Sequence, residues 1–311
     1  MRNTFANTLY EYAKNDPRIV TVAADISPAA SMAKLRDEKP EQFINVGVAE
    51  QSMIGICAGL ALKGCRPFAY TIATFALYRP FEMVRVDLCY QNLPVTVIGM
   101  GGGLVYSGLG GTHHTQEDIA IAGCLPNMTI VVPCDPIETQ AATRYAATEN
   151  MGPLYMRLGK AGEPNLTENA IDTFKVGKIR YIKKGTDVCI MSYGLMLGKA
   201  IKVAARLEEQ GVSVSVVSNH TLKPLDVIGI SSVLRSHATV IIIEEHVPSA
   251  SLSSQVKNIA WDIKANTELL TFTLKDEFIH YYGSHDALLA KHGINEDVIF
   301  ARIMQKIEVV A

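Results

Sequence analysis

No two of the six cysteines (Cys57, Cys65, Cys89, Cys124, Cys134 and Cys189) form a CxxC pair, so the usual spacing signatures of a zinc site or a thiol–disulfide motif are missing. Most lie in apolar runs, where a reduced thiol behaves as a small hydrophobe. Free thiols in a reducing compartment are expected. An excess of one charge is missing too. The 29 basic and 31 acidic residues are mixed along the chain and leave a net charge of −2, which gives no electrostatic reason to expect nucleic acid or an anionic membrane as a partner. No stretch approaches the roughly 18 apolar residues of a membrane span. The first segment, MRNTFANTLYEYAKNDPRIV, has no apolar signal-peptide core. Low-complexity tracts and internal repeats are absent as well, and a cytoplasmic globular protein is expected.

What is present is a 311-residue chain, 48% hydrophobic and 19% charged, long enough for two domains of ordinary size. Short β-branched runs alternate with helical patterns: IVTVAA (19–24), a helix from Glu50, RPFAYTI (66–72), a helix through Phe81 to Tyr90, VTVIGM (95–100), TIVVP (129–133), a helix from Pro136, and PLYMRL (153–158). That alternation predicts βαβ units and a largely parallel sheet. Residues 159–186 turn rich in Gly, Pro, Asn and charge, and the linker is read within them, over 166–186. A second α/β series follows, with strands DVCIMS, VSVSVVS, ATVIIIEE and LLTFTL and an amphipathic helix after the first of them. The expected organisation is an α/β parallel-sheet domain over 1–165, the linker over 166–186, and a smaller α/β domain over 187–311.

One carboxylate stands out. In INVGVAEQSMIGICAGLALKG (44–64), Glu50 opens an otherwise apolar, small-residue helix. A carboxylate is favourable at a helix N-terminus by typically 0.3–1 kcal/mol, which by itself would explain it. Gly55, Ala58 and Gly59 on the same helix leave room for another helix to approach closely. The aromatics of ATFALYRPFEMVR (73–85) and the histidine pair of GGTHHTQED (110–118) are the other residues with chemistry to offer. His113 and His114 have no third ligand at a usual metal spacing, so no metal site is expected on this chain. The glycines of GMGGGLVYSGLGG (99–111) are not a dinucleotide fingerprint, because GxGxxG read from Gly99 meets Leu104. They read as a flexible loop at the rim of a site.

Together with VAADIS (22–27), LPNMTIVVPCDPIET (125–139), SNHTLKPLD (218–226) and VIIIEEH (240–246), these segments resemble, in order and over nearly the whole chain, thiamine-diphosphate enzymes of the transketolase type. The likeness covers the pyrimidine-binding domain and the C-terminal domain. It implies that Glu50 hydrogen-bonds a pyrimidine nitrogen and takes part in an acid/base relay that activates the cofactor. Asp25, Phe75, Tyr78 and Phe81 are implied to line the cofactor. Aromatic stacking of that kind adds about 0.5–1.5 kcal/mol beyond burial. His113 is implied to hold or move a proton at a sugar oxygen, with Leu109, His114 and Arg157 also on the substrate side.

Three departures from the family pattern shape the expected function. No Gly-Asp-Gly occurs, and in the family that motif holds Mg2+ and the cofactor diphosphate; a separately encoded partner subunit is implied to carry it, the two kinds of chain assembling as a heterotetramer. Leu109 replaces the family's hydroxyl-reading Asp, and a leucine cannot accept a hydrogen bond. Gly101 to Gly103 occupy the region of a family phosphate contact and supply no charge. The reading is half of a split transketolase-like enzyme that transfers a two-carbon ketol unit from a ketose to an aldehyde or keto sugar, non-standard in being modified or nucleotide-linked. The sequence leaves three alternatives open: a 2-oxo acid dehydrogenase β subunit, a deoxyxylulose-phosphate-synthase-like condensing enzyme, and a non-catalytic scaffold or regulatory subunit.

Overall fold

The computed structural model describes residues 1–26, 30–168 and 173–310. The first sheet is built from β1 (Ile19–Ala23), β2 (Phe43–Asn45), β3 (Arg66–Ile72), β4 (Thr96–Met100), β5 (Thr129–Val131) and β6 (Leu154–Leu158), with β10 (Thr221–Lys223) at one edge. Its order is β10-β5-β6-β4-β3-β1-β2. The first six strands are mutually parallel and β10 is antiparallel to β5. β1, β4 and β6 are buried along their whole length, because βαβ crossovers put helices on both faces. Alternate strand residues point to opposite sides. Ile19, Phe68, Tyr70, Ile98 and Met156 pack under helices α1 (Arg2–Ala13), α2 (Ala30–Glu38) and α7 (Pro136–Thr148). Val20, Val22, Ala69, Val97 and Ile130 face the other way, toward α3 (Glu50–Leu62) and the second domain.

The second sheet has the order β12-β11-β8-β9-β7, from β7 (Arg180–Lys183), β8 (Val188–Ser192), β9 (Val214–Ser218), β11 (Thr239–Ile243) and β12 (Glu268–Phe272). Two features differ from the sequence expectation. β7 lies inside the segment read as a linker and pairs antiparallel with β9, and residues 169–172 of that segment lie outside the described residues. β10 comes from the C-terminal half yet completes the first sheet. Both strands are only three or four residues long, too short to announce themselves by alternation. β10 shields the β5 edge of the first sheet with a partner from the other half. The cysteines are free, with Cys57, Cys89, Cys134 and Cys189 buried and Cys124 exposed. No helix among the described residues is long and apolar enough to cross a membrane.

The two halves share one hydrophobic core, in which Val22, Val97 and Ile130 pack with Met191, Val217 and Ile242. They are also joined by buried ions. Asp135 caps α7 by accepting from the Glu138 N–H (2.7 Å) and also accepts from the N–H groups of Leu166 and Thr167, which pins the start of the connection. Glu138 accepts from Ser218 Oγ and pairs with Arg180 of β7. A second seam centres on Glu245, just past β11. Its carboxylate accepts from the Leu104 N–H (2.7 Å) and from His285 Nε2 (2.6 Å), and its carbonyl accepts from Arg157 (3.1 Å). Burial alone would raise the Glu245 pKa, but His285, Arg157 and the Leu104 N–H hold it below the ordinary range. Burial would lower His285, and the Glu245 carboxylate raises it above its ordinary value instead.

The sign of the pH dependence follows from these two shifts. The raised His285 contributes stability that is complete below its unfolded value of 6.5 and is lost as pH rises through its folded value. The lowered Glu245 contributes stability that is complete above 4.5 and is lost as pH falls through its folded value. His285→Ala should therefore destabilise the chain by roughly 1–3 kcal/mol, the usual penalty for a buried acceptor stripped of its donor, with the largest effect between those two values. Urea unfolding of wild type and variant across the pH range checks this, and a difference that grows above neutral pH would contradict it.

Candidate active site

The six parallel strands of the first sheet end on one side, where ligands of open α/β sheets bind. Four chain segments leave there: Asp25 after β1, the Gly47–Glu50 turn after β2, α4 (Ala73–Leu77) after β3, and the glycine run after β4. The turn after β2 is built by Gly47, whose φ of 68° suits a residue without Cβ and whose N–H donates to Asn45 Oδ1 (3.0 Å). It delivers Glu50 as the first residue of α3, with only 2% of its surface exposed. β3 runs directly into α4, which carries Phe75.

Arg79 ties these parts together. It lies four residues after Phe75, and the chain stays right-handed helical through Tyr78, so the two side chains fall on one face. The guanidinium donates from Nη1 to Glu50 Oε2 (2.8 Å) and stands 4.7 Å over the Phe75 ring. On the other side, the Phe75 ring meets His113 edge-on at 5.3 Å, and His113 meets Tyr106 edge-on at 6.2 Å. Thr112 Oγ1 lies 2.9 Å from His113 Nδ1, which leaves Nε2 to face outward chemistry. Two successive turns, Tyr106 to Leu109 and Gly110 to His113, shape this loop. The structure thus connects Glu50 to Phe75 through an arginine that sequence reasoning missed, and Phe75 to His113 by ring contact; the four-residue spacing from Phe75 was the available signal.

The other sequence-predicted residues are dispersed around this cluster. Tyr78 turns its hydroxyl to Glu117 Oε2 (2.8 Å). Phe81, at the start of α5 (Phe81–Met83), packs against the core instead of beside Phe75. The expected helix through Tyr90 continues as π-helical turns over Val84–Tyr90. Asp25 is exposed with a φ of 55° and makes no hydrogen bond or ion pair with the cluster among the described residues. Leu109 is 52% exposed on the outer turn. His114 is buried, and burial holds its pKa below the ordinary value while Glu245 opposes the shift. Among the described residues no group of three His, Cys, Asp or Glu side chains could hold a metal.

Two expectations change. Arg157 is buried, not a surface arginine after a strand: only 4% of it is exposed, its Nε lies 3.4 Å from Asp118 Oδ2, it donates from Nη2 to the Glu245 carbonyl, and its Nη1 has no hydrogen-bond partner. Tyr155 completes the group by donating to Asp118 Oδ2 (2.7 Å). The glycine run is a packed seat, not a flexible rim. Gly101 to Leu104 are buried, and a Cβ at Gly102 would collide with the Arg157 side chain and one at Gly103 with the Glu245 carboxylate. Gly103 also has a φ of 73° and bridges to Thr115, closing the loop that carries Leu109 and His113. Neither Asp118, Glu245 nor His285 has a sequence pattern that would reveal this role, because their partners lie up to 141 residues away.

The arginine bridge gives a test. Arg79→Met, which keeps the stem and removes the charge, should lower the urea midpoint, because buried Glu50 loses its charged donor. Combined with Glu50→Gln, it should destabilise by less than the sum of the two single changes. Additive changes in urea unfolding would mean that the pair contributes nothing.

Residues 1–163 match the pyrimidine-binding domain of transketolase and residues 177–299 the transketolase C-terminal domain. The chain is 32% identical over 298 residues to an apulose-4-phosphate transketolase subunit of Phocaeicola vulgatus, covering 96% of this chain and 94% of that protein. It is 31% identical to a 1-deoxy-D-xylulose-5-phosphate synthase of Synechococcus sp. over 98% of this chain but 47% of that protein. A solved split-gene transketolase, described as an inactive beta4 tetramer, superposes with a TM-score of 0.88 at 33% identity, covering 98% of this chain and 97% of that one. The order of the sheets, the buried carboxylate at the head of α3 and these likenesses agree: the chain belongs to the transketolase family, as a pyrimidine-binding domain followed by a transketolase C-terminal domain.

Proposed function

We propose that this chain is one subunit of a split, thiamine-diphosphate-dependent transketolase that moves a two-carbon ketol unit from a ketose donor to an aldehyde or keto sugar acceptor. The observation that carries the reading is the linked group Glu50, Arg79, Phe75 and His113 at the carboxyl ends of the parallel strands. These residues fit the cofactor's pyrimidine end: a buried carboxylate, an aromatic ring beside it and an imidazole across that ring. When bound, thiamine diphosphate supplies the electron sink for breaking and making a carbon–carbon bond next to a carbonyl. Mg2+ and the diphosphate belong, in this proposal, to a separately encoded partner subunit.

Within that frame, Glu50 orients the pyrimidine by a hydrogen bond and holds a proton at a ring nitrogen. Its present partner Arg79 is half-exposed, with 47% of its side chain accessible, so the pair is weak enough to yield to a ligand. Phe75 offers its ring to the pyrimidine. His113, steadied by Thr112, takes or gives a proton at a sugar oxygen. Leu109 on the outer turn offers apolar surface in place of a hydroxyl-reading acid, which supports a non-standard acceptor, modified or nucleotide-linked. One face of α3 and its approach exposes Val48 and Leu62, 69% and 63% accessible, next to Gly55 and Gly59, where an added Cβ meets nothing. That bare face supports self-association through the pyrimidine-binding domains into a heterotetramer.

Glu50→Gln in the complex reconstituted with the partner should leave the fold intact and lower ketol transfer at least roughly 10²-fold. Normal proton exchange at the cofactor's reactive carbon in that variant would reduce Glu50 to a helix-terminal charge. The chain by itself should show no turnover, and robust transfer by the isolated chain would overturn the split-subunit reading. A panel of aldehydes and ketoaldoses with one ketose donor tests the acceptor. If ribose 5-phosphate or erythrose 4-phosphate gives the highest kcat/KM, the interpretation of Leu109 fails; otherwise Leu109→Asp should shift preference toward hydroxylated acceptors.

A further inference from the structure

We propose that Arg79 sets the affinity of the cofactor site: its guanidinium stands where the aminopyrimidine ring of thiamine diphosphate binds, and the cofactor enters by displacing it. The proposal rests on the thiamine-diphosphate reading and adds to it a residue of this chain that competes with the cofactor.

The two contacts that suit Glu50 and Phe75 to a pyrimidine are both taken by one side chain. Arg79 Nη1 donates to Glu50 Oε2 (2.8 Å), and the guanidinium carbon stands 4.7 Å over the centre of the Phe75 ring. Stacked rings lie with their centres about 4.5–7 Å apart, so the guanidinium fills the layer that a pyrimidine would fill. The likeness is chemical as well as spatial. A guanidinium is flat and delocalised, turns N–H groups in its plane toward a carboxylate, and lays its face on an aromatic ring. An aminopyrimidine protonated at a ring nitrogen presents the same kind of edge and the same kind of face.

The other approach to Phe75 is closed. His113 meets the ring edge-on at 5.3 Å, which leaves no layer between the two for a further ring. A pyrimidine that reaches Glu50 and Phe75 together therefore takes the place of Arg79 and does not lie beside it. Arg79 is free to leave: its side chain is half-exposed, and among the described residues its ion pair is with Glu50. Pro80 follows it, and the Pro80 carbonyl accepts the Val84 N–H (2.9 Å), so the backbone is held from the next turn and displacement is a rotation of side-chain torsions toward solvent. A site that is open in a fraction of molecules binds more weakly by that fraction. The diphosphate, gripped in the proposed function by the partner subunit, adds affinity that the pyrimidine end lacks, which ties filling of the site to assembly of the complex.

The test is isothermal titration of thiamine diphosphate with Mg2+ into the reconstituted complex, for wild type, Arg79→Met and Arg79→Gln. Arg79→Met keeps the stem and removes the charge, and should bind the cofactor about 3- to 30-fold more tightly, the factor that corresponds to one exposed ion pair and one cation–ring contact. Arg79→Gln, whose amide still donates to Glu50, should fall between. Since Arg79→Met is expected to lower the urea midpoint, stability and cofactor affinity should move in opposite directions, whereas a residue that only shapes the site would move both downward. A second arm uses the full chain without its partner. Thiamine, which has the pyrimidine but no diphosphate, should give saturation-transfer NMR signals with Arg79→Met at concentrations where wild type gives none. Unchanged or weaker cofactor affinity in Arg79→Met, or equal thiamine binding by the two chains, overturns the proposal and leaves the functional reading in place. Absence of cofactor binding by wild type and both variants overturns the two together.

Discussion

Glu245 is the constraint on which the working end of the molecule depends. It belongs to the C-terminal half, yet its carboxylate holds the Leu104 N–H at the base of the loop that carries Leu109, Thr112 and His113. Arg157, between that loop and Glu245, binds Asp118 at the start of α6 (Asp118–Gly123) and the Glu245 carbonyl. The loop is therefore fixed from three sides: by its own bridge between Gly103 and Thr115, by Arg157 beneath it, and by the second domain behind it. Removing a charged group from water carries an effective penalty of several kcal/mol per ion. Here the ion pairs and hydrogen bonds offset that penalty in part, while Arg157 Nη1 and Asp118 Oδ1 keep no hydrogen-bond partner.

This explains why the glycine run is needed. Two buried charged side chains must lie against the backbone just beyond β4, and there is no room for a Cβ between them and the chain. Glycine at 102 and 103 serves proximity, and at 103 also a left-handed φ. The same packing removes Arg157 from any exchange with solvent. Its contacts unite the loop, α6 and the C-terminal half.

The Glu50 side of the site is built on a different principle. There the carboxylate is buried but its partner is half-exposed, and the helix N-terminus adds favourable field. Arg79 faces both the Phe75 ring and the carboxylate, so one residue orders an aromatic surface and a charge together. The His113 end is firmly held by a cross-domain ionic group; the Glu50 end rests on a single exposed arginine.

The sequence by itself determined the α/β class, the parallel first sheet, the order of the two domains and the candidate residues Glu50, Phe75 and His113. The class, the sheet and the domain order follow from local information, apolar periodicity and turn residues, whereas Glu50, Phe75 and His113 stood out through the resemblance of short motifs to those of the family. Arg79 was within reach of the same logic, four residues from Phe75. What only the tertiary structure decided is which of the candidates meet. β7 and β10 are too short to carry a period, and they cross between the segments that sequence reading kept apart. Tyr78 and Phe81 share a helical stretch with Phe75 but turn to Glu117 and to the core, because side-chain direction there is set by what packs above. Arg157 reads in sequence as a polar residue at the end of a strand, and its burial depends on Asp118 and Glu245, which come from a helix and from the other domain. Long-range ion pairing leaves no periodicity in the sequence, so the roles of Arg157, Glu245 and His285 became visible only when the chain was folded.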